Sequence, residues 1–242
     1  IAFKLSSAPI YGELRGYIYG SGIVGEAFLG GGNGIRGVAA SNDGQYAFLA
    51  DYDNGFKIMD ISDPTKPVLV GSYLFYAQLY NVTLSNDNQF AYVSSARYGM
   101  LVYDVSDPTR PVYLNQLLSD GVPLGAVTSS DDQLLYIADY SHFTIANVSN
   151  PANPVISSSI EIADYAWDIT LSSDGSLVFL ASQSLMLVID VSDSESPVVL
   201  SSFETDGVAR GITLSDDYKT AYLANGNSGM QIVDVSEVAL PV

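Results

Sequence analysis

Arg36 and Arg210 occupy the same place in two copies of a recurring segment, and Tyr80, Leu124 and Trp167 occupy it in the other three. The next position carries Gly37, Asn81, Gly125, Asp168 and Gly211. An arginine fork holds a carboxylate or sulfate in two-point fashion, and arginine and tryptophan are common anchors of recognition sites. Arg36, Tyr80, Trp167, Asp168 and Arg210 therefore form a candidate ligand- or partner-binding set. The competing role for the two arginines is neutralisation of Asp168, Asp206 or Asp51. Tyr52, Tyr98 and Tyr140 recur in the loops DYDNG, ARYGM and DYSHF (51–55, 96–100 and 139–143). Tyrosine rings give contact area at low entropic cost, which suits protein or glycan recognition. The same rings also suit capping the core of their own sheets.

Other chemistries leave weaker traces. Asp51, Asp53 and Asn54 resemble the start of a calcium loop, but the distal bidentate acid is missing and a hairpin turn accounts for them. Asp51 and Asp53 are thus a weak metal candidate, calcium the only cofactor worth naming, and the expectation is no cofactor. His142 is the only histidine and cysteine is absent, so thiolate and histidine-rich metal sites have no ligands. The chain has no G-x-S-x-G elbow, P-loop or H-E-x-x-H. Most of the 27 Asp and Glu recur in the same turn of every copy. Recurrence of that kind points to structure rather than to a two-carboxylate catalytic centre. No catalytic residue is expected.

The elements that must position these residues follow from the repeat. One signature reads FKIMDISDPTKPVLVGSY at 56–73 and LVYDVSDPTRPVYL at 101–114, then IANVSNPANPVISS, LVIDVSDSESPVVLSSF and QIVDVSEVALPV. Its marker residues Asp60, Asp104, Asn147, Asp190 and Asp234 lie 43 or 44 residues apart. A second signature precedes each, as in GVAASNDGQYAFLAD at 37–51: apolar strand, Asp-bearing turn, apolar strand. Each unit thus predicts four strands, in the first copy Val38–Ala40 with its neighbours, Tyr46–Ala50, Phe56–Ile61 and Val68–Tyr73. The prolines of DPTKPV fall in the loop before the fourth strand, where a missing N–H costs nothing. Runs such as YAFLA and LMLVID are apolar on both faces, as a sheet packed between two others requires.

A four-stranded unit of this length predicts an all-β propeller of antiparallel blades. The expected repeats are about 34–76, 77–118, 119–162, 163–205 and 206–242, in one domain spanning 1–242. Residues 1–33 are expected to supply a closing strand, near 8–17, and a glycine-rich connector. Five blades are expected, with six as the rival count. The segment GSGIVGEAFLGGGNG (20–34) resembles none of the repeat strands. The chain begins at Ile1 and reads as a processed chain or a piece of a longer one.

The repeated KIMDISDPTKPV, LVYDVSDPTRPV and LVIDVSD resemble the LVIVD repeat family of propellers, found in bacterial and archaeal surface or secreted proteins. The resemblance spans roughly 34–242 and implies the propeller fold and a secreted or cell-surface location. It supplies no catalytic residue. The third copy departs most, with Asn147 and Asn150 for aspartate, and the fifth loses the Asp-Pro step.

A formal net charge of −18 repels nucleic acid and anionic bilayers at long range. No apolar run reaches the ~18 residues of a membrane helix. The resulting expectation is a non-enzymatic extracellular module for protein binding, adhesion or surface assembly, acting through a protein partner or self-assembly. A small-ligand or glycan binder at a channel mouth is the alternative, and a propeller-type hydrolase or lactonase with Ca²⁺ a second one.

Overall fold

A computed structural model describes residues 13–18, 22–29 and 33–237. The chain divides into two units, Ile1–Gln116 and Leu117–Val242. Both are built of antiparallel strands. A single 3-10 turn, Gly226–Ser228, is the one helical element among the described residues.

The first unit opens with a two-stranded sheet of β1 (Glu13–Ile18) and β2 (Gly22–Phe28). Two four-stranded sheets follow. One holds β3 (Ile35–Ala40), β4 (Tyr46–Asp51), β5 (Gly55–Asp60) and β6 (Val68–Tyr73) in sequence order. The other holds β7 (Leu79–Leu84), β8 (Phe90–Ser95), β9 (Gly99–Asp104) and β10 (Val112–Leu117). Phe48, Ala50, Phe56 and Ile58 of the first sheet share a core with Ala91, Val93, Leu101 and Tyr103 of the second. Both faces of β4 and β5 are buried, as the unbroken apolar runs predict.

The second unit contains β11 (Pro123–Thr128), β12 (Leu134–Asn147), β13 (Val155–Leu171), β14 (Leu177–Ser182), β15 (Leu185–Asp190) and β16 (Val198–Glu204) in one six-stranded sheet. A three-stranded sheet of β17 (Gly211–Leu214), β18 (Thr220–Ala224) and β19 (Met230–Asp234) completes it. The expectation of five separate four-stranded blades is corrected here. The described residues form four sheets of three or more strands, because the third and fourth repeats share one. Within DYSHF (139–143), Tyr140 takes a positive φ of 48°. Tyr140 of that loop pairs with Ala166, so β12 and β13 run through without a break and join the two repeats.

Local hydrogen bonding explains where the acids went. In the turn after β3, Ser41 Oγ donates to Asp43 Oδ1 at 2.6 Å and receives the Tyr46 N–H at 2.9 Å. Ser85 and Asp87, Ser129 and Asp131, Ser172 and Asp174, and Ser215 and Asp217 repeat the bond. The residue after each aspartate must turn left-handed: Gly44, Asn88, Asp132, Gly175 and Tyr218 all have φ between 57° and 74°. Glycine and asparagine suit that conformation and tyrosine does not. A second lock follows each third strand, where Asp60 accepts from the Ser62 N–H and Oγ, and Asp104, Asn147 and Asp190 act likewise on Ser106, Ser149 and Ser192. These serine hydroxyls hold Asp43, Asp60, Asp131, Asp174, Asp190 and Asp217 below the ordinary carboxylate range.

The N-terminal reading also changes. The proposed closing segment, residues 8–17, lies outside the described residues as far as residue 12. Its described part belongs to β1, which pairs with β2. The glycine-rich segment does contain a repeat-like strand after all. A Cβ on Gly25 of β2 would lie 2.0 Å from the Pro64 carbonyl oxygen, and one on Gly71 of β6 would lie 2.0 Å from that of Pro108. Ser158 meets the same place in a later repeat by donating to the Ser194 carbonyl at 2.7 Å. IVGEAF therefore stands to the first four-stranded sheet as LVGSYL stands to the second, and Ala27 and Leu29 pack on Ala47, Leu49 and Met59. No helix among the described residues is long and apolar enough to cross a membrane.

Candidate functional site

In the first unit Arg36 lies at the start of β3 with its side chain exposed. Its guanidinium sits over the Tyr52 ring, 4.9 Å from the centroid. Tyr52 in turn meets Tyr80 of β7 edge-on at 5.6 Å. Gly37 beside it is forced small: a Cβ there would lie 2.5 Å from the Asn81 Cα. The two sheets approach closely at this point.

The second unit repeats the pairing with the roles exchanged. Trp167 on β13 receives Arg210, whose guanidinium lies 4.8 Å from the ring. The tryptophan Nε1–H has no hydrogen-bond partner. Asp168 next to it accepts the N–H of Ile169 at 2.9 Å and of Ile212 at 3.0 Å, which ties β13 to β17. Gly125 and Gly211 line the same carboxylate. Surrounding protein desolvates Asp168 strongly enough to push its pKa up to about 6, against the pull of the two N–H groups. Part of its surface stays open all the same.

Neither arginine serves the neutralising role. Asp51 is paired with Lys57, Asp168 is held by backbone N–H groups, and among the described residues no carboxylate forms an ion pair with Arg36 or Arg210. Both cations are instead held against rings, an arrangement worth roughly 0.5–1 kcal/mol at an exposed site.

The tyrosines part ways. Tyr52 joins the arginine platform. Tyr98 packs half-buried against Phe75 at 5.1 Å, with Arg97 over its ring at 5.5 Å, and caps the core as the alternative reading proposes. Tyr140 is exposed, has a positive φ of 48° and meets Tyr165 at 4.2 Å. Tyr165 was not singled out from the sequence, because its ring is supplied by the neighbouring repeat at no recurring position. Asp51 is buried in its ion pair and Asp53 accepts from Asn33, so the two carboxylates serve different partners.

The repeat pattern decides the family. The LVIVD repeat matches residues 36–74, 81–117, 132–161, 163–205 and 206–242. The chain belongs to the LVIVD repeat family. A protein of unknown function from Desulfotomaculum acetoxidans superposes with a TM-score of 0.82 at 14% identity, over 95% of this chain and 78% of that one. The Swd1 β-propeller domain of Myceliophteria thermophila gives 0.75 at 14% identity, over 91% and 75%. A Lactobacillus plantarum protein gives 0.75 at 18%, over 84% and 67%. At these identities the likeness shows the fold, a β-propeller-like arrangement of antiparallel sheets. No curated protein matches the chain.

Each LVIVD repeat also buries one polar side chain at the end of its second strand: Asp51, Ser95, Asp139, Ser182 and Asn225. Four find partners. Lys57 pairs with Asp51, the Tyr98 N–H reaches Ser95 Oγ, Ser182 donates to the Leu185 carbonyl, and Asn225 donates to Gln231. Asp139 is fully buried, and neither carboxylate oxygen receives a hydrogen bond of normal geometry. Burial raises its pKa, against weaker opposing pulls from Ser119, the Gly121 N–H and His142. An unpartnered buried carboxylate is costly. Asp139→Ser, which installs the residue of the second and fourth repeats, is expected to stabilise the protein by about 1–2 kcal/mol. Urea denaturation at pH 7 measures this; a midpoint below wild type refutes it.

Proposed function

We propose that this LVIVD-repeat chain is a non-catalytic recognition module, secreted or on the cell surface, that captures an anionic group of a protein partner. The observation behind it is the pair of arginine–aromatic platforms. In a chain with 27 acids and nine bases, Arg36 and Arg210 stay clear of every described carboxylate and lie on Tyr52 and Trp167. A flat ring holds the guanidinium plane in place while its edge stays available to a carboxylate or sulfate. Preorganisation of this kind lowers the entropic cost of binding. Tyr80 buttresses one platform.

A second reading, glycan binding, is favoured by the exposed Tyr140–Tyr165 pair, whose rings offer an apolar face for a sugar to lie on. Arrays of acidic peptides and of acidic glycans separate the two. Wild type is expected to bind acidic peptides, and Arg36→Ala with Arg210→Ala to weaken that binding at least about tenfold, as for loss of anchor residues. Peptide binding that the double variant retains removes the arginine platforms from the function. Glycan binding lost in Tyr140→Ala and Tyr165→Ala, with no peptide binding, replaces the first reading by the second.

A further inference from the structure

Every third strand ends on the same lock, in which a side-chain oxygen accepts the N–H of the serine two residues on. Four repeats use an aspartate for it, at Asp60, Asp104, Asp190 and Asp234, and the third uses Asn147. The exchange leaves the lock intact. Asn147 Oδ1 accepts from the Ser149 N–H at 3.0 Å and from its Oγ at 2.6 Å, as Asp190 Oδ1 does from Ser192 at 2.9 and 2.6 Å. What changes is the other atom of the head group. A carboxylate oxygen becomes the amide Nδ2, a donor, and among the described residues nothing accepts from it. Asn147 is exposed at the last pair of the β12–β13 ladder, and Ser149 and Asn150 after it are exposed as well. Asn147-Val148-Ser149 is an N-x-S sequence, the acceptor form for N-linked glycans.

We propose that Asn147 carries an N-linked glycan. The inference rests on the secreted or cell-surface part of the reading above, since such glycans belong to secreted chains. In the reaction Nδ2 attacks the anomeric carbon of a lipid-diphosphate-linked oligosaccharide. The C1–Nδ2 bond forms and the C1–O bond breaks. The electron pair leaves with the lipid diphosphate, and a base of the oligosaccharyltransferase takes one amide proton. The second sequence of this form, Asn81-Val82-Thr83, is closed to the same reaction. It lies inside the paired strand β7 and Asn81 is half-buried. A Cβ on Gly37 of the neighbouring sheet would come 2.5 Å from the Asn81 Cα and 3.0 Å from its Oδ1. Asn147 lies seven residues along β12 from Tyr140, roughly 23 Å of extended strand. The glycan is thus attached at the opposite end of this ladder from the Tyr140–Ala166 pair beside Trp167, so modification and recognition are compatible.

The experiment is peptide mapping by mass spectrometry on the protein isolated from its natural source, as wild type and as N147D. The wild-type peptide that contains Asn147 is expected to carry a glycan mass, and the peptide that contains Asn81 none. N147D installs the aspartate of the other four repeats, so its turn should form and its urea midpoint should match that of wild-type chain free of glycan, while the modification is lost. N147Q removes the acceptor equally and serves if N147D does not fold. A wild-type chain bare at Asn147, a glycan on Asn81, or a glycan mass that persists on the same peptide in N147D overturns the proposal. If the source chain is bare, the purified folded chain is given an oligosaccharyltransferase and a lipid-diphosphate-linked oligosaccharide in vitro. Transfer to Asn147 then traces the failure to the location of the chain, and no transfer traces it to the turn itself. Acidic-peptide binding is read separately on the arrays and is unaffected by either result.

Discussion

Replacing Lys57 by leucine should destabilise the protein by about 3–5 kcal/mol, the range for stripping one partner from a buried ion pair. Lys57 and Asp51 are the ion pair of the described residues whose side chains are both nearly sealed from water, at 10% and 3% exposure. The ammonium also reaches the Leu29 carbonyl at 3.3 Å, so it holds the segment after β2 as well as β4. Leucine leaves the Asp51 carboxylate with only the Asn54 amide, at 3.2 Å. The other repeats show how the site works without charge. Where the first repeat has Asp51 and Lys57, the second has Ser95 and Leu101, and the fourth Ser182 and Leu187. Asp51→Ser combined with Lys57→Leu should therefore recover most of the loss and return to within about 1 kcal/mol of wild type, since a buried pair exchanged for well-packed neutral residues is often close to neutral. Urea denaturation of the two single variants and the double variant gives the coupling directly. A double variant no more stable than Lys57→Leu would show that the pair is not exchangeable between repeats.

The second large effect is a pH profile that runs against the usual acid denaturation. Asp168 has its folded pKa raised from 3.8 to about 6. The native state therefore binds that proton more readily than the unfolded state, and stability grows as pH falls from about 7 towards 4. The full gap corresponds to about 3 kcal/mol, and the open part of the side chain reduces it to about 1–3 kcal/mol. Asp139, also raised, acts in the same direction. The turn aspartates have the opposite sign. Held below their ordinary value by serine and threonine hydroxyls, they contribute stability above pH 4 and lose it as pH falls through their folded values. Stability should thus peak near pH 4–5 and collapse below it. Asp168→Asn should flatten the rise between pH 7 and 5 without touching the acid limb. A profile with the same upward slope in Asp168→Asn and in wild type would assign the effect elsewhere.

What the sequence made legible was whatever recurs. The serine–aspartate turns and the strand pairs stand at constant spacing because every repeat needs the same bond at the same place. The arginine position was legible for the same reason, although which ring each arginine would use was not. Arg36 takes Tyr52 from a loop of its own repeat, whereas Arg210 takes Trp167 from the repeat before. Features solved once were hidden. Lys57 looks like an ordinary strand residue until its distance to Asp51 is known. Tyr140 bridging to Ala166, which fuses two expected blades into one sheet, rests on a left-handed turn at a residue that no other repeat places there. β2 escaped notice because IVGEAF shares with LVGSYL only the glycine that the neighbouring carbonyl demands, and one glycine among 21 carries little signal.

The uniform sheet-to-sheet contact bears on how such a gene changes length. Within each unit neighbouring repeats meet through equivalent positions, and each turn is closed by bonds internal to its own segment. A recombination event that duplicates or deletes one segment joins surfaces that already fit a neighbour. Repeat number can then drift in a lineage faster than the packing residues do, and copies lying next to one another need not be the most recently separated.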